Sequence, residues 1–273
     1  MHGLQCCVPD ATLLPEGIER LHLAQRDDQD VEFVVLDATE RYQDGDSYCY
    51  DVDVLDPSGR LVERWEGLRL RAVGKLDGAG PWVPTLLGPH VERALERVLG
   101  GSRAVAVETN GCAEKRRENT ALTVGRALGR PATVRYRPDG RPETDGVTVT
   151  VSHTADLTMA VTGEGRIGCD IERVRERSEE DWHGLLGTDQ LGVRDVLVAE
   201  SGDSPSTAGT RVWSAMECLR KVGVTGQALA VRQVHPDGWT VLSAGDAAIA
   251  TWVTTVNDRP EPVVIAVLSG EEH

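Results

Sequence analysis

Alternation of apolar and polar residues dominates the early part of the chain. In "DGDSYCYDVDVLDPSGRLVERWEGLRLRAV" two long alternating runs flank Asp56-Pro57-Ser58-Gly59, a sequence suited to a β-turn. Tyr48, Tyr50, Val52 and Val54 then share one face of the first run. Upstream, "VEFVVLDATE" reads as another apolar strand, and the opening "MHGLQCCV", apolar from its first residue, reads as a cut through an existing element. The Gly- and Pro-rich stretch "GKLDGAGPWVPT" ends the strand pattern and places a domain boundary near Gly74 to Gly80.

Past that boundary the period changes. "GPHVERALERVLGG" carries Val91, Ala94, Leu95, Val98 and Leu99 at helical spacing, and "SRAVAVET" reads as a buried strand. "CAEKRRENTALTVGRALGRP" predicts a second helix, basic end first, that stops at Gly129 and Pro131. "VTVTVSH", "LTMAVTG" and "RIGCDIERV" predict three strands, "TRVWSAMECLRKVG" a helix, and "ALAVRQVH", "GWTVLS" and "PVVIAVLS" further strands. Strands mixed with helices, without regular βαβ alternation, predict an α+β fold. No strong repeat is visible.

Bulk properties narrow the function classes. At 273 residues the chain can form one large domain or two ordinary ones. A formal charge of −15 argues against general nucleic-acid binding, which needs an electropositive footprint. No apolar run is long enough to span a bilayer and no secretory signal stands at the start, so neither a membrane nor an export role is expected. The six cysteines (Cys6, Cys7, Cys49, Cys112, Cys169, Cys218) lack ligand spacing, which makes reduced thiols in a cytoplasmic compartment the simplest account. An anionic ligand would need a local basic cluster. "EKRREN" supplies Lys115, Arg116 and Arg117, with Arg126, Arg130, Arg135, Arg137 and Arg141 soon after, and a solvated basic helix face explains the same residues.

Four short stretches could carry chemistry. On a strand over "RIGCDIERV", Ile167, Cys169 and Ile171 line one face while Gly168, Asp170 and Glu172 line the other, so two carboxylates repel unless a cation joins them or water screens them. In "WSAMECLRK", Ser214 can N-cap a helix with Glu217 as its capping-box partner, and Glu217 and Lys221 then form an i,i+4 pair. Ser152 and His153 end a strand, where His153 is either a surface histidine or a phosphate contact. "PDGRPE" reads as a β-turn.

Taken in order, "DGRP", "VTVTVSH", "IGCDIE" and "WSAMECLRK" resemble the motif series of the 4′-phosphopantetheinyl transferases, best the longer, pseudo-dimeric Sfp-type class, over about Pro81 to His273. The resemblance implies two α+β halves, about 81–160 and 161–273, in a transferase domain over 76–273. It implies Mg²⁺ on Asp170, Glu172 and Glu217. Arg117, Arg141, Ser152 and His153 would contact the coenzyme A phosphates, and Lys221 would sit near the pyrophosphate to neutralise charge or assist proton transfer. It implies transfer of 4′-phosphopantetheine from coenzyme A to a serine of an acyl carrier protein, with release of adenosine 3′,5′-bisphosphate. A carboxylate must take the serine proton, and "LLGTDQL" offers Asp189, with Gln190 fitting the count nearly as well. The family's usual lysine before the helix glutamate is Met216 here.

Residues 1–75 resemble the last part of a double-hotdog dehydratase from an enediyne-type iterative polyketide synthase, in which such a transferase follows at the C-terminus. That resemblance implies a dehydratase remnant whose catalytic His and Asp lie upstream, so His2 is neither of them, and a carrier domain within the same parent protein. The competing expectations are an inert docking or dimerisation module and a dehydratase accessory piece.

Overall fold

The computed structural model describes residues 8–24, 33–76, 80–110, 115–257 and 259–270. His2, Cys6, Cys7 and Cys112 lie outside them. The chain divides into two compact units, 1–86 and 87–273.

The first unit is one antiparallel sheet of β1 (Ala11–Gly17), β2 (Arg20–Leu23), β3 (Val35–Asp44), β4 (Ser47–Leu55) and β5 (Leu61–Lys75). Its order is β1-β5-β4-β3, with β2 also on β5. The β4–β5 turn forms as its sequence predicts: the Asp56 carboxylate accepts from the Ser58 amide (2.9 Å), the Ser58 hydroxyl (2.6 Å) and the Arg60 amide (3.0 Å), and Gly59 takes φ 82°. Tyr48, Tyr50, Val52 and Val54 are all buried. "VEFVVLDATE" departs from its apolar reading. From Val35 onward it is an edge strand paired to β4 alone, and most of its side chains face solvent.

The division between units falls in the first turn of α1 (Pro84–Leu99). The second unit continues with β6 (Arg103–Thr109), α2 (Arg116–Ala127), β7 (Arg135–Tyr136), β8 (Pro142–Glu143), β9 (Thr148–His153), β10 (Leu157–Gly163) and β11 (Arg166–Arg173). Then follow α3 (Glu179–Ser201), α4 (Pro205–Lys221), β12 (Ala230–Val234), β13 (Thr240–Ala244), β14 (Ala247–Thr254) and β15 (Val263–Gly270). A three-stranded sheet runs β6-β10-β9 and a five-stranded sheet β11-β15-β14-β13-β12, every ladder antiparallel. Segregated helices on antiparallel sheets make this the mixed α+β architecture expected.

Helix α2 packs on β6 and β10, while α4 packs on β11, β14 and β15 with α3 laid against it. Trp182, Leu186, Leu197, Val212, Cys218, Leu242, Ile249 and Leu268 close the core between these helices and the larger sheet. Strands β9 and β11 are the facing edges of the two sheets and lie side by side without sharing a ladder. A bond from the Cys169 amide to the Thr150 hydroxyl (3.3 Å) ties them together.

Candidate functional site

The seam between β9 and β11 carries the candidate chemistry, and glycine places it there. A Cβ on Gly168 would lie 2.6 Å from the Cys218 carbonyl oxygen, so only glycine lets α4 approach β11 this closely. The face bearing Gly168, Asp170 and Glu172 therefore packs under α4 instead of facing water. Asp170 is 4% exposed.

Asp170 is the hub. Its Oδ1 accepts from the Ser152 hydroxyl (2.8 Å, from β9) and from Lys221 Nζ (3.1 Å, from the end of α4). Its Oδ2 is buried without a hydrogen-bond partner. Lys221 Nζ also donates to the Cys169 carbonyl (2.6 Å). Burial works against the lysine charge, but Cys169, Asp170 and Cys218 outweigh it and the Lys221 pKa is raised, so it stays an ammonium at neutral pH. Burial, followed by the charges of Asp170 and Glu217, raises the pKa of Glu172. The three carboxylates are thus electrostatic neighbours.

Helix α4 corrects two sequence readings. It begins after Ser204, whose hydroxyl accepts from the Thr207 amide (3.1 Å), with Pro205 opening the first turn. Ser214 is therefore mid-helix and caps nothing, and its hydroxyl is buried without a partner. Nor does Glu217 pair with Lys221. Its ion pair is with Arg220, at i,i+3, while Lys221 turns to Asp170.

The basic residues are mostly committed. Lys115 pairs with Glu118 at 3.9 Å, Arg126 with Glu108 at 2.9 Å, Arg137 with Glu143 at 3.6 Å and Arg141 with Asp139 at 3.4 Å, while Arg135 pairs with Asp145. Arg117 lies over the Tyr136 ring, 5.2 Å from its centroid. "PDGRPE" is the expected turn, closing β7 onto β8. Arg141 reaches α4, donating to the Arg220 carbonyl at 3.4 Å. With Arg137, Arg166 and Lys221 it lines a cleft of about 690 Å³ that also exposes β9 and the start of β11.

His153 contacts α2. Arg116 donates to Nδ1 (3.3 Å), so Nε2 carries the proton and donates to the Thr120 hydroxyl (3.0 Å). Burial, then the Arg116 and Lys221 charges, lowers its pKa to about 4, so the ring is neutral at pH 7. Asp189 and Gln190 both line a second cavity of about 770 Å³, together with Met216, Glu217 and Arg220. Asp189 is exposed, whereas Gln190 is buried and its Oε1 has no partner.

No group of three or more His, Cys, Asp or Glu side chains among the described residues stands close enough to hold a metal ion as placed. In kind, however, the donors suit a hard divalent cation: they are carboxylate oxygens, one of them buried and unpartnered. Glu217 is paired with Arg220.

Residues 1–79 match the polyketide synthase dehydratase N-terminal domain family. A stretch of 127 residues is 28% identical to the 4′-phosphopantetheinyl transferase AcpT of Salmonella typhi, and 27% identical to that of Salmonella typhimurium. Each alignment covers 44% of this chain and 65% of the relative's own length. The resemblance is partial. It supports phosphopantetheinyl transferase-like chemistry at most, and the family match a dehydratase-like segment over residues 1–79.

Three contributors escaped the sequence reading: Gly168 as the close-approach residue, the Ser152–Asp170 bond, and Arg220 on Glu217. Only Arg220 left a local signal, its i,i+3 spacing from Glu217. Among the described residues no helix is long and apolar enough to cross a membrane.

Proposed function

We propose that residues 87–273 transfer 4′-phosphopantetheine from coenzyme A to a serine of an acyl carrier protein domain, releasing adenosine 3′,5′-bisphosphate. The observation that carries this reading is the convergence of Ser152, Asp170 and Lys221 at the seam of the two sheets, with Asp170 Oδ2 left open. Similarity to the AcpT transferases supports it independently.

In this reading Asp170, Glu172 and Glu217 would hold Mg²⁺, which supplies charge stabilisation to pyrophosphate oxygens. Lys221, kept protonated by its surroundings, offers positive charge to the leaving phosphate and is no proton acceptor. Arg117 and Arg141 would hold the phosphates of coenzyme A beside Ser152 and His153, which can donate to a phosphate only by exchanging the bonds they make here, the Ser152 hydroxyl to Asp170 and the His153 N–H to Thr120. The serine oxygen forms its bond to the β-phosphorus as the pyrophosphate bridge breaks, and the serine proton passes to Asp189. Gln190 cannot take that proton, because an amide is not a base; its buried oxygen suits an N–H donor instead.

The first unit would then be a dehydratase-like segment of an enediyne-type polyketide synthase, with the carrier domain in the same parent. Fusion would raise the effective concentration of an acidic enzyme and an acidic carrier that steer each other poorly. A second reading, an inert docking module of the synthase, is favoured by Glu217 paired to Arg220 and by Met216 packed on the core.

Calorimetric titration of coenzyme A with and without Mg²⁺ separates the two. The transferase reading expects metal-dependent affinity that Asp170→Asn abolishes. Equal affinity with and without Mg²⁺, or none, would reject it.

A further inference from the structure

The three-stranded and five-stranded sheets meet at β9 and β11 without a shared ladder, so the register of the seam rests on side-chain bonds. Three of them step along it in one direction. Thr150 meets Cys169 (3.3 Å), Ser152 meets Asp170 (2.8 Å), and Asp156 meets Arg173 (2.6 Å). The third stands at the turn between β9 and β10, just past His153.

That turn closes without the ion pairs of Asp156. The Thr154 amide donates to the Leu157 carbonyl (2.9 Å), and the Thr154 hydroxyl accepts from the Leu157 amide (3.0 Å). The Asp156 carboxylate instead reaches the larger sheet, taking Arg173 from the end of β11 and Arg259 from the connection between β14 and β15. Each arginine is fixed in turn, Arg173 by Glu261 (3.3 Å) and Arg259 by the Asn257 carbonyl (2.8 Å). Burial works against the Asp156 charge, but the bonds from Arg173, Thr154 and Arg259 lower its pKa to about 2. A carboxylate shared by two half-buried guanidiniums is a firmer link than an exposed pair. His153, by contrast, has no ring bond to the larger sheet among the described residues: Arg116 and Thr120 are both on α2.

We propose that Asp156 is a positioning residue for the candidate site: through Arg173 and Arg259 it pins the β9–β10 turn to the larger sheet, and so keeps Ser152 on Asp170 and the His153 ring on α2. Its effect on turnover rests on the transferase reading of the preceding section; its effect on geometry does not. A purely structural ion pair would stabilise the unit without moving either side chain.

The test follows the His153 ring by NMR in the full chain with isotope-labelled histidine, its resonance assigned by its loss in His153→Gln. In wild type the ring should titrate at about 4, held down by burial and then by the Arg116 and Lys221 charges. In Asp156→Asn the loosened turn lets the ring reach water, and its pKa should rise toward the ordinary 6.5. Loss of the Asp156 charge alone acts the other way, since an anion favours the imidazolium, so the direction separates loosening from electrostatics. Arg259→Gln, which leaves Arg173 on Asp156 and so keeps one arm of the link, should move the ring the same way by less. An unchanged or lowered pKa in Asp156→Asn, or in Arg259→Gln should Asp156→Asn not fold, would overturn the inference. Kinetics address the transferase reading: Asp156→Asn should raise the coenzyme A KM about ten-fold, as for loss of one hydrogen bond to a charged group, with kcat nearly unchanged. A raised His153 pKa in the variant, with no phosphopantetheine transfer by wild type, would reject that reading and leave the positioning role standing.

Discussion

Gly168→Ala perturbs the contact on which the site depends. The added methyl would lie 2.6 Å from the Cys218 carbonyl oxygen, whereas ordinary contact begins at 3.4 Å, so strand and helix must separate by about 0.8 Å. The obstacle is helix backbone, which cannot rotate aside as a side chain would. Overpacking of this kind costs about 1–3 kcal/mol, partly offset by the strand preference of alanine over glycine, about 0.5–1 kcal/mol. A net loss of about 1–2 kcal/mol lowers Tm by roughly 2–8 °C for a unit of this size. The same displacement stretches the Lys221–Asp170 contact from 3.1 Å, so transferase turnover should fall more than stability alone explains. Thermal unfolding and turnover measured well below Tm check both parts. Gly184→Ala is the control, because its Cβ meets nothing within 4 Å and α3 should gain helix propensity. If Gly168→Ala matched wild type in both assays, close approach would not be what positions the site.

Two further outcomes follow from particular side chains. Ser204→Ala should cost about 1 kcal/mol by removing the α4 cap, while Ser214→Ala should be neutral or slightly stabilising, since its buried hydroxyl has no partner to lose; urea unfolding would show the reverse order if Ser214 were the cap. His153 has a folded pKa of about 4 against an ordinary 6.5, so the native state binds fewer protons there. Its contribution is present above pH 6.5 and lost as pH falls through that window toward 4, and His153→Gln should flatten this part of the stability profile.

The sequence made the strands of the second unit legible because β9, β10 and β11 are short apolar runs bounded by turn residues. It also made the α4 motif legible, but not where that helix begins. The predicted helix opened at Thr210, six residues past the true cap at Ser204, and the later Ser214 offered a false capping box. Helix α3 was missed because Gly184, Gly187 and Gly192 interrupt its period, and Gly187 does take φ 72° at a kink. Strand β14, "AAIATWVT", was missed because alanine carries little strand preference. On β11, alternation separated an apolar face from a carboxylate face without showing what covers the second, and α4 covers most of it through a contact no local pattern encodes. The i,i+4 rule pointed to Glu217–Lys221. The nearby, more buried Asp170 claimed the lysine, and Arg220 took its place on the glutamate.

Group transfer at the β9–β11 seam has a direct readout. Its most direct test is the intact mass of a purified apo-carrier domain after incubation with this chain, Mg²⁺ and coenzyme A. The carrier should gain one phosphopantetheine with wild type and none with Asp170→Asn. No gain with wild type, or an equal gain with the variant, would contradict it.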